Sequence, residues 1–229
     1  MRIVLTLAGF MAVPSVAYAG PWAQEPGGYY GRTLVAREVL DGADAWRGDV
    51  YAERGLTETL TLMAKAEVVR FDQAGAQDQD AFRIAVRKQV FKKKGFAGAV
   101  EFGAVHGAVG TGARICESLG AEARASLGYS GATKKGRQWY AFGDVTAIEH
   151  EGGCQRQRVE LGYGADISAK LFIGQQVWLE RGNFSADSIK TESSFGYHAD
   201  WGDVSVGYRA EHGGQFEEQS YLIAITVRG

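Results

Sequence analysis

The sequence predicts an all-β chain, an antiparallel up-and-down transmembrane β-barrel of about twelve strands, with ten as the alternative count. Three observations carry that prediction. Hydrophobicity alternates with a period of two and not 3.6 along most of the chain. Beyond the first twenty residues no run is apolar for the roughly 20 residues that a spanning helix needs. The two faces of each run also differ in kind, one slender and apolar, the other charged. The composition agrees with a single folded unit: 229 residues with 32 Gly, 3 Pro and 11% aromatics. Gly stands near twice its ordinary share of about 7%, without the proline load of a collagen-like or low-complexity chain. The near balance of 25 Lys+Arg against 27 Asp+Glu excludes the strongly basic surface of a nucleic-acid binder.

Residues 1–19 read as a cleaved signal peptide. Arg2 supplies the positive start, Ile3 to Val13 is almost unbroken apolar chain, Pro14 stops it, and Ala17-Tyr18-Ala19 before Gly20 fits a small-x-small cleavage site. That apolar run is too short to span a bilayer as a helix. The remaining 20–229 is expected to form one barrel domain, exported from the cytoplasm.

The strands are expected near 29–37, 48–55, 59–70, 81–91, 96–106, 119–130, 137–149, 156–165, 169–181, 189–199, 203–212 and 219–228. In the third, Leu60, Leu62, Ala64, Ala66 and Val68 alternate with Thr61, Lys65 and Glu67. In the sixth, Ala121, Ala123, Ala125, Leu127 and Tyr129 alternate with Glu122, Arg124 and Ser126. The eighth sets Val159, Leu161 and Tyr163 against Arg158 and Glu160, and the ninth sets Leu171, Ile173, Val177 and Leu179 against Gln176 and Glu180. The eleventh and twelfth repeat the pattern with Val204, Val206 and Tyr208 against Asp203, Ser205, Arg209 and Glu211, then Tyr221, Ile223, Ile225 and Val227. Tight connections fall at 56–59, 92–95, 134–136, 166–169 and 200–202; looser ones at 41–46, 73–79, 107–119, 151–154, 183–187 and 213–217. Leu127-Gly128-Tyr129, Leu161-Gly162-Tyr163 and Phe195-Gly196-Tyr197 recur 34 residues apart, two strands per repeat.

Alternation alone does not say which face meets a core and which meets lipid. Small residues such as Ala121, Ala123 and Ala125 would leave voids in a dry core, whereas mobile acyl chains fill them. The apolar faces are therefore expected to point outward. The charged faces then line the lumen, with Glu122, Arg124, Arg158, Glu160, Lys190, Glu192, Arg209 and Glu211 along any solute path. Tyr129, Trp139, Tyr163 and Tyr197, gathered beside the tight turns, are expected at the lipid interface, where a ring with a polar tip sits well. An even strand number puts both termini on the side of the tight turns.

With Pro21-Trp22 near its mature start, the strand-turn segment from Tyr51 to Leu62 and the recurring Gly-Tyr strand ends, the chain resembles small outer-membrane β-barrels of Gram-negative bacteria, notably porin-like ones. The resemblance spans residues 20–229. It implies the bacterial outer membrane as location and the barrel assembly machinery, outer-membrane lipids and lipopolysaccharide as partners. The usual terminal aromatic is replaced here by Arg228-Gly229. The expected role is passive, a narrow channel or a structural barrel with a charge-lined lumen, open at most to small polar solutes. An outer-membrane enzyme acting on lipid or lipopolysaccharide and a loop-mediated binding protein are the competing classes.

Cys116 and Cys154 fall in neighbouring long-loop connections, where an oxidising envelope favours a disulfide. A metal pair with His150 is the alternative, but it lacks a set of ligands at regular spacing. Neither a metal nor a cofactor is expected. His106, His150, His198 and His212 lie on separate segments. Ser194 and His198 share a face but stand roughly 13 Å apart along one strand, beyond hydrogen-bond reach for nucleophile activation. No catalytic residue is assigned, and the chain is not expected to be an enzyme. Lys92–Lys94, Lys134 and Lys135 read as solvated turns or as contacts to anionic headgroups. Asp41, Asp44, Asp72, Asp78 and Asp80 read as acidic loops without the spacing of a Ca²⁺ loop.

Overall fold

The computed structural model describes residues 20–40, 42–73, 78–107, 116, 118–183, 187–213 and 217–229. The expected signal peptide at 1–19 and Asp41 lie outside the described residues. Twelve strands follow one another: β1 (Tyr29–Leu40), β2 (Ala43–Thr57), β3 (Leu60–Phe71), β4 (Gln79–Lys93), β5 (Phe96–Gly107), β6 (Leu119–Ala132), β7 (Gln138–His150), β8 (Gln155–Asp166), β9 (Leu171–Gly182), β10 (Ser188–Ala199), β11 (Gly202–His212) and β12 (Glu218–Arg228). Each pairs antiparallel with its neighbours in sequence, and β1 pairs with β12 to close the barrel. At the seam Tyr29 N–H donates to Gly229 O at 2.6 Å and Gly229 N–H donates back to Tyr29 O at 3.1 Å, so both ends of the barrel are tied on one side. Closure leaves no edge strand whose peptide groups would need a partner from outside.

The strands are strongly inclined. A row of directly paired residues runs Tyr163, Gln175, Ser193, Tyr208, Tyr221, Arg37, Trp46. It begins near the turn-side end of β8 and finishes near the opposite end of β2, the stagger that barrel closure requires. At 11–15 residues, tilted strands are long enough to cross a bilayer's hydrocarbon, which takes about 9–11.

Most expected strands and connections are found within a few residues of their places. The first connection is the exception. The looser loop placed at 41–46 is a tight hairpin, because β2 begins at Ala43 and carries Trp46 inside the strand, paired with Arg37. Gly42 has φ +77°, which a glycine adopts without steric cost. An Asp-Gly pair between two strands is a strong short-range hairpin signal. Across the barrel, Lys94 and Gly95 both take positive φ between β4 and β5, as a two-residue turn matched to strand twist demands.

Outward side chains form an apolar belt. Leu161 is 53% exposed and Ile223 59%, and the belt continues through Ile84, Val86, Phe102, Leu127, Val145 and Val206. Inward side chains are shielded: Arg47 and Glu101 are each 1% exposed. No helix among the described residues is long and apolar enough to cross a membrane, so the belt belongs to the strands.

Candidate functional site

The barrel interior is rich in charge, and the structure pairs it almost throughout. On the loop-side half, Arg47 of β2 lies among three carboxylates: Glu38 at 2.6 Å, Glu218 at 3.1 Å, and Glu67. Lys190 reaches Glu211 at 2.8 Å and Glu218 at 3.3 Å, and Lys65 reaches Asp49 and Glu67 at 2.9 and 2.8 Å. At mid-height Arg124 of β6 spans four strands, contacting Glu101 at 3.3 Å, Asp144 at 3.1 Å and Glu160 at 3.6 Å. Arg83 holds Glu122 at 2.6 Å, and Arg87 lies between Glu53 at 3.0 Å and Glu101 at 3.4 Å. On the opposite wall Glu192 is shared by Arg209 at 2.6 Å and Arg32 at 3.1 Å, while Arg156 and Arg158 converge on Glu180.

All eight lumen candidates named from the sequence point inward in this arrangement. Glu122, Arg124 and Glu160 meet in one cluster, Lys190 and Glu211 form a pair, and Arg209 and Glu192 form another. Arg158 instead takes Glu180, which the sequence reading had set on the polar face without assigning it to the site. Arg47, Arg87 and Glu101, each no more than 2% exposed, were missed. The signal that locates them is the period of two along β2, β4 and β5, which sets Arg47, Arg87 and Glu101 on the inward face.

The turn-side half is built differently, from aromatic rings laid over glycines. Phe142 of β7 covers Gly162, Tyr140 covers Gly164, and Phe172 of β9 covers Gly196; a Cβ at any of these glycines would run into the ring. Each covered glycine is the direct cross-strand partner of its ring. At Gly128 a Cβ would stand 2.7 Å from Trp22 and 2.8 Å from Pro21. The 34-residue repeat thus has a physical content: its central Gly at 128, 162 and 196 makes room inside for a ring, while its last residue, Tyr129, Tyr163 or Tyr197, faces out. Tyr129 packs on Phe96 and Trp139 with centroids 4.5 and 5.3 Å away, and Tyr163 and Tyr197 are more than 40% exposed beside the turns. We predict that Gly162→Val, by displacing the Phe142 ring, costs about 1–3 kcal/mol as an overpacked interior does. An unchanged denaturant midpoint in detergent would show that the ring has another place to go.

Residues 20–28 enter this same end. Pro21 is fully buried, and its carbonyl accepts from Gln89 Nε2 at 3.0 Å. Trp22 O accepts from Arg87 Nη1 at 3.1 Å, and the Trp22 ring meets Tyr140 edge-on at 6.1 Å. Gln24 N–H donates to Thr61 Oγ1, and its side-chain amide donates to Glu53 Oε2. Inside lies a cavity of about 190 Å³, bounded by Arg32, Arg83, Arg158, Tyr51, Phe172 and Trp178 among others.

Histidines and cysteines take structural positions. His198 bridges Asp203 at 2.7 Å and Asp166 at 3.2 Å and stacks on Phe172. Ser194 on the same face hydrogen-bonds Gly174 O and not the imidazole. His150 Nδ1 lies 2.9 Å from Ser118 O. Cys116 and Cys154 form a disulfide with Cα atoms 5.4 Å apart, joining two loop-side connections. Among the described residues no three His, Cys, Asp or Glu side chains cluster as a metal site would need. Asp44 and Asp72 pair with Arg37, and Asp78 and Asp80 with Arg70, so these acids neutralise neighbouring arginines on the outer rim. Replacing both cysteines by Ser is expected to lower stability by about 2–4 kcal/mol, since a 38-residue separation no longer restrains the unfolded chain. Denaturation with and without reductant would measure it, and coincident curves would refute it.

No protein-family model matches the chain, and a search of curated proteins finds no match to its sequence. Solved structures do resemble it. The COG4313 outer membrane channel from Pseudomonas putida F1 aligns over 93% of this chain and 100% of its own, with TM-score 0.60 at 9% identity. The NanC porin aligns over 85% and 98%, with TM-score 0.60 at 11% identity. The KdgM porin aligns over 86% and 98%, with TM-score 0.58 at 8% identity. The fold is porin-like. At such identities the likeness concerns the path of the backbone and carries no side chain across, so the interior of this porin-like barrel has to be read from its own residues.

Proposed function

We propose that the protein is a passive outer-membrane barrel, exported by a cleaved signal peptide, whose charge-lined lumen forms a narrow channel for small polar or zwitterionic solutes. The observation that carries this reading is the inversion of the two faces. Hydrocarbon side chains cover the outside of the closed sheet, and ion pairs fill the inside. Such a surface is stable against acyl chains and unstable against water, and closure leaves the wall no edge strand. The backbone likeness to channel proteins supports the same reading.

Selectivity follows from the pairing. A lumen arginine bound to a carboxylate offers a passing anion little unbalanced field, and the acids offer a cation as little. Small neutral or internally balanced solutes meet the least resistance. Outer-membrane lipids and lipopolysaccharide wet the belt, and the barrel assembly machinery inserts it. The test sets planar-bilayer conductance and solute-flux measurements beside assays of phospholipid and lipid A hydrolysis. Small conductance with weak ion selectivity and no turnover is the expected result. Lipid hydrolysis by the pure protein would replace this reading with the enzymatic one.

A further inference from the structure

The chain's own start lies inside the turn-side mouth, with Pro21 fully buried and its carbonyl and that of Trp22 held by Gln89 and Arg87. We propose that residues 20–28 are a resident plug, an autoinhibitory segment whose release opens the lumen; this rests on the channel reading above.

The segment is built to fold back. Pro26-Gly27-Gly28 turns the chain just before β1, with Gly27 at φ +79°, Gly28 N–H donating to Glu25 O at 2.8 Å and Gly27 N–H donating to Gly55 O at 2.9 Å. Gly55 of β2 lacks a side chain where one would strike the backbone at Glu25, so the returning chain lies directly on the wall. Inside, the anchors are peptide groups on lumen side chains. The Pro21 and Trp22 carbonyls accept from Gln89 and Arg87, and the Gln24 N–H donates to Thr61. Gly128 leaves the space that Pro21 and Trp22 occupy. Among the described residues the plug makes no ion pair of its own. It competes with water for hydrogen bonds while burying one proline and partly burying one indole, a balance that permits release without unfolding the barrel. Because the segment is tethered to β1, it rebinds at high effective concentration, and the closed state prevails at rest.

The experiment uses the full chain refolded in detergent and placed in planar bilayers, with two variants that open the mouth: deletion of residues 21–26, and Trp22→Ala. A heat-dependent shift on an electrophoresis gel identifies the folded barrels. Separately, Pro21→Cys is challenged with a membrane-impermeant maleimide, with Gly136→Cys on the exposed turn as the reference. The plug predicts slow labelling at 21 and a several-fold higher conductance in both opening variants. Labelling at 21 as fast as at 136 overturns it. Slow labelling with equal conductance in wild type and variants overturns the plug and leaves the channel standing. Absence of conductance in every form removes both.

Discussion

Replacing Leu161 by Arg is expected to destabilise the barrel in phospholipid vesicles by about 2–4 kcal/mol, the cost of an arginine near the bilayer midplane. Leu161 lies at the centre of β8 and points out of the barrel, 53% exposed. Its neighbours across the sheet are Gly143 and Val177, so a guanidinium there has no anion within the wall to meet. The companion variant separates lipid from core. Leu161→Ala should cost far less than the about 2–5 kcal/mol of the same truncation in a close-packed interior, because acyl chains move into the space and no cavity survives. Equilibrium unfolding by urea or guanidinium in vesicles gives both numbers. An arginine tolerated at no cost, together with a large penalty for alanine, would mean that this surface packs against protein and not hydrocarbon.

Arg47→Met should be at least as damaging, for the opposite reason. Its guanidinium is 1% exposed and neutralises Glu38, Glu67 and Glu218 from three other strands. Removing it leaves buried Glu38 without a counter-charge and Glu67 and Glu218 with only Lys65 and Lys190, and breaking such a cluster costs about 3–5 kcal/mol. Changing Glu38, Glu67 and Glu218 to Gln in the same chain should recover most of the loss, since the charges that repel are then gone. Arg37→Ala is the control. Arg37 pairs with Asp44 and Asp72 and lies over the Trp46 ring on the exposed outer rim, where an ion pair is worth about 0–1 kcal/mol. Equal effects at Arg37 and Arg47 would show that the interior is as wet as the rim. That in turn would mean that the ion pairs line a wide aqueous lumen and do not narrow it.

Much of the wall was legible because strand geometry is local. Along β8, Val159, Leu161 and Tyr163 alternate with Arg158, Glu160 and Gly162, and a period of two needs no knowledge of the rest of the chain to sort them into faces. The tight hairpin after β1 carries its signal in Asp41-Gly42, yet residues 41–46 read as a looser connection. The inward rings were harder. Tyr140 and Phe142 lie two residues apart on the same face of β7, and apolar residues of that period look like any lipid-facing pair. Only their glycine partners on β8, at Gly164 and Gly162, reveal that the face is internal. The N-terminal segment gave no periodic signal, being too short and too rich in proline and glycine, so its seat against Gly128 and Gln89 could not be read from its own residues.

The order of residues by itself determined that the chain is all strand, about how many strands it has, and which side chains share a face, since each depends on neighbours two positions away. The folded barrel decided which charge neutralises which. Arg124 meets residues on β5, β7 and β8, and Arg47 meets a carboxylate from the far end of the chain. Those distances are set by closure, tilt and stagger, which are properties of twelve strands together and of no single one.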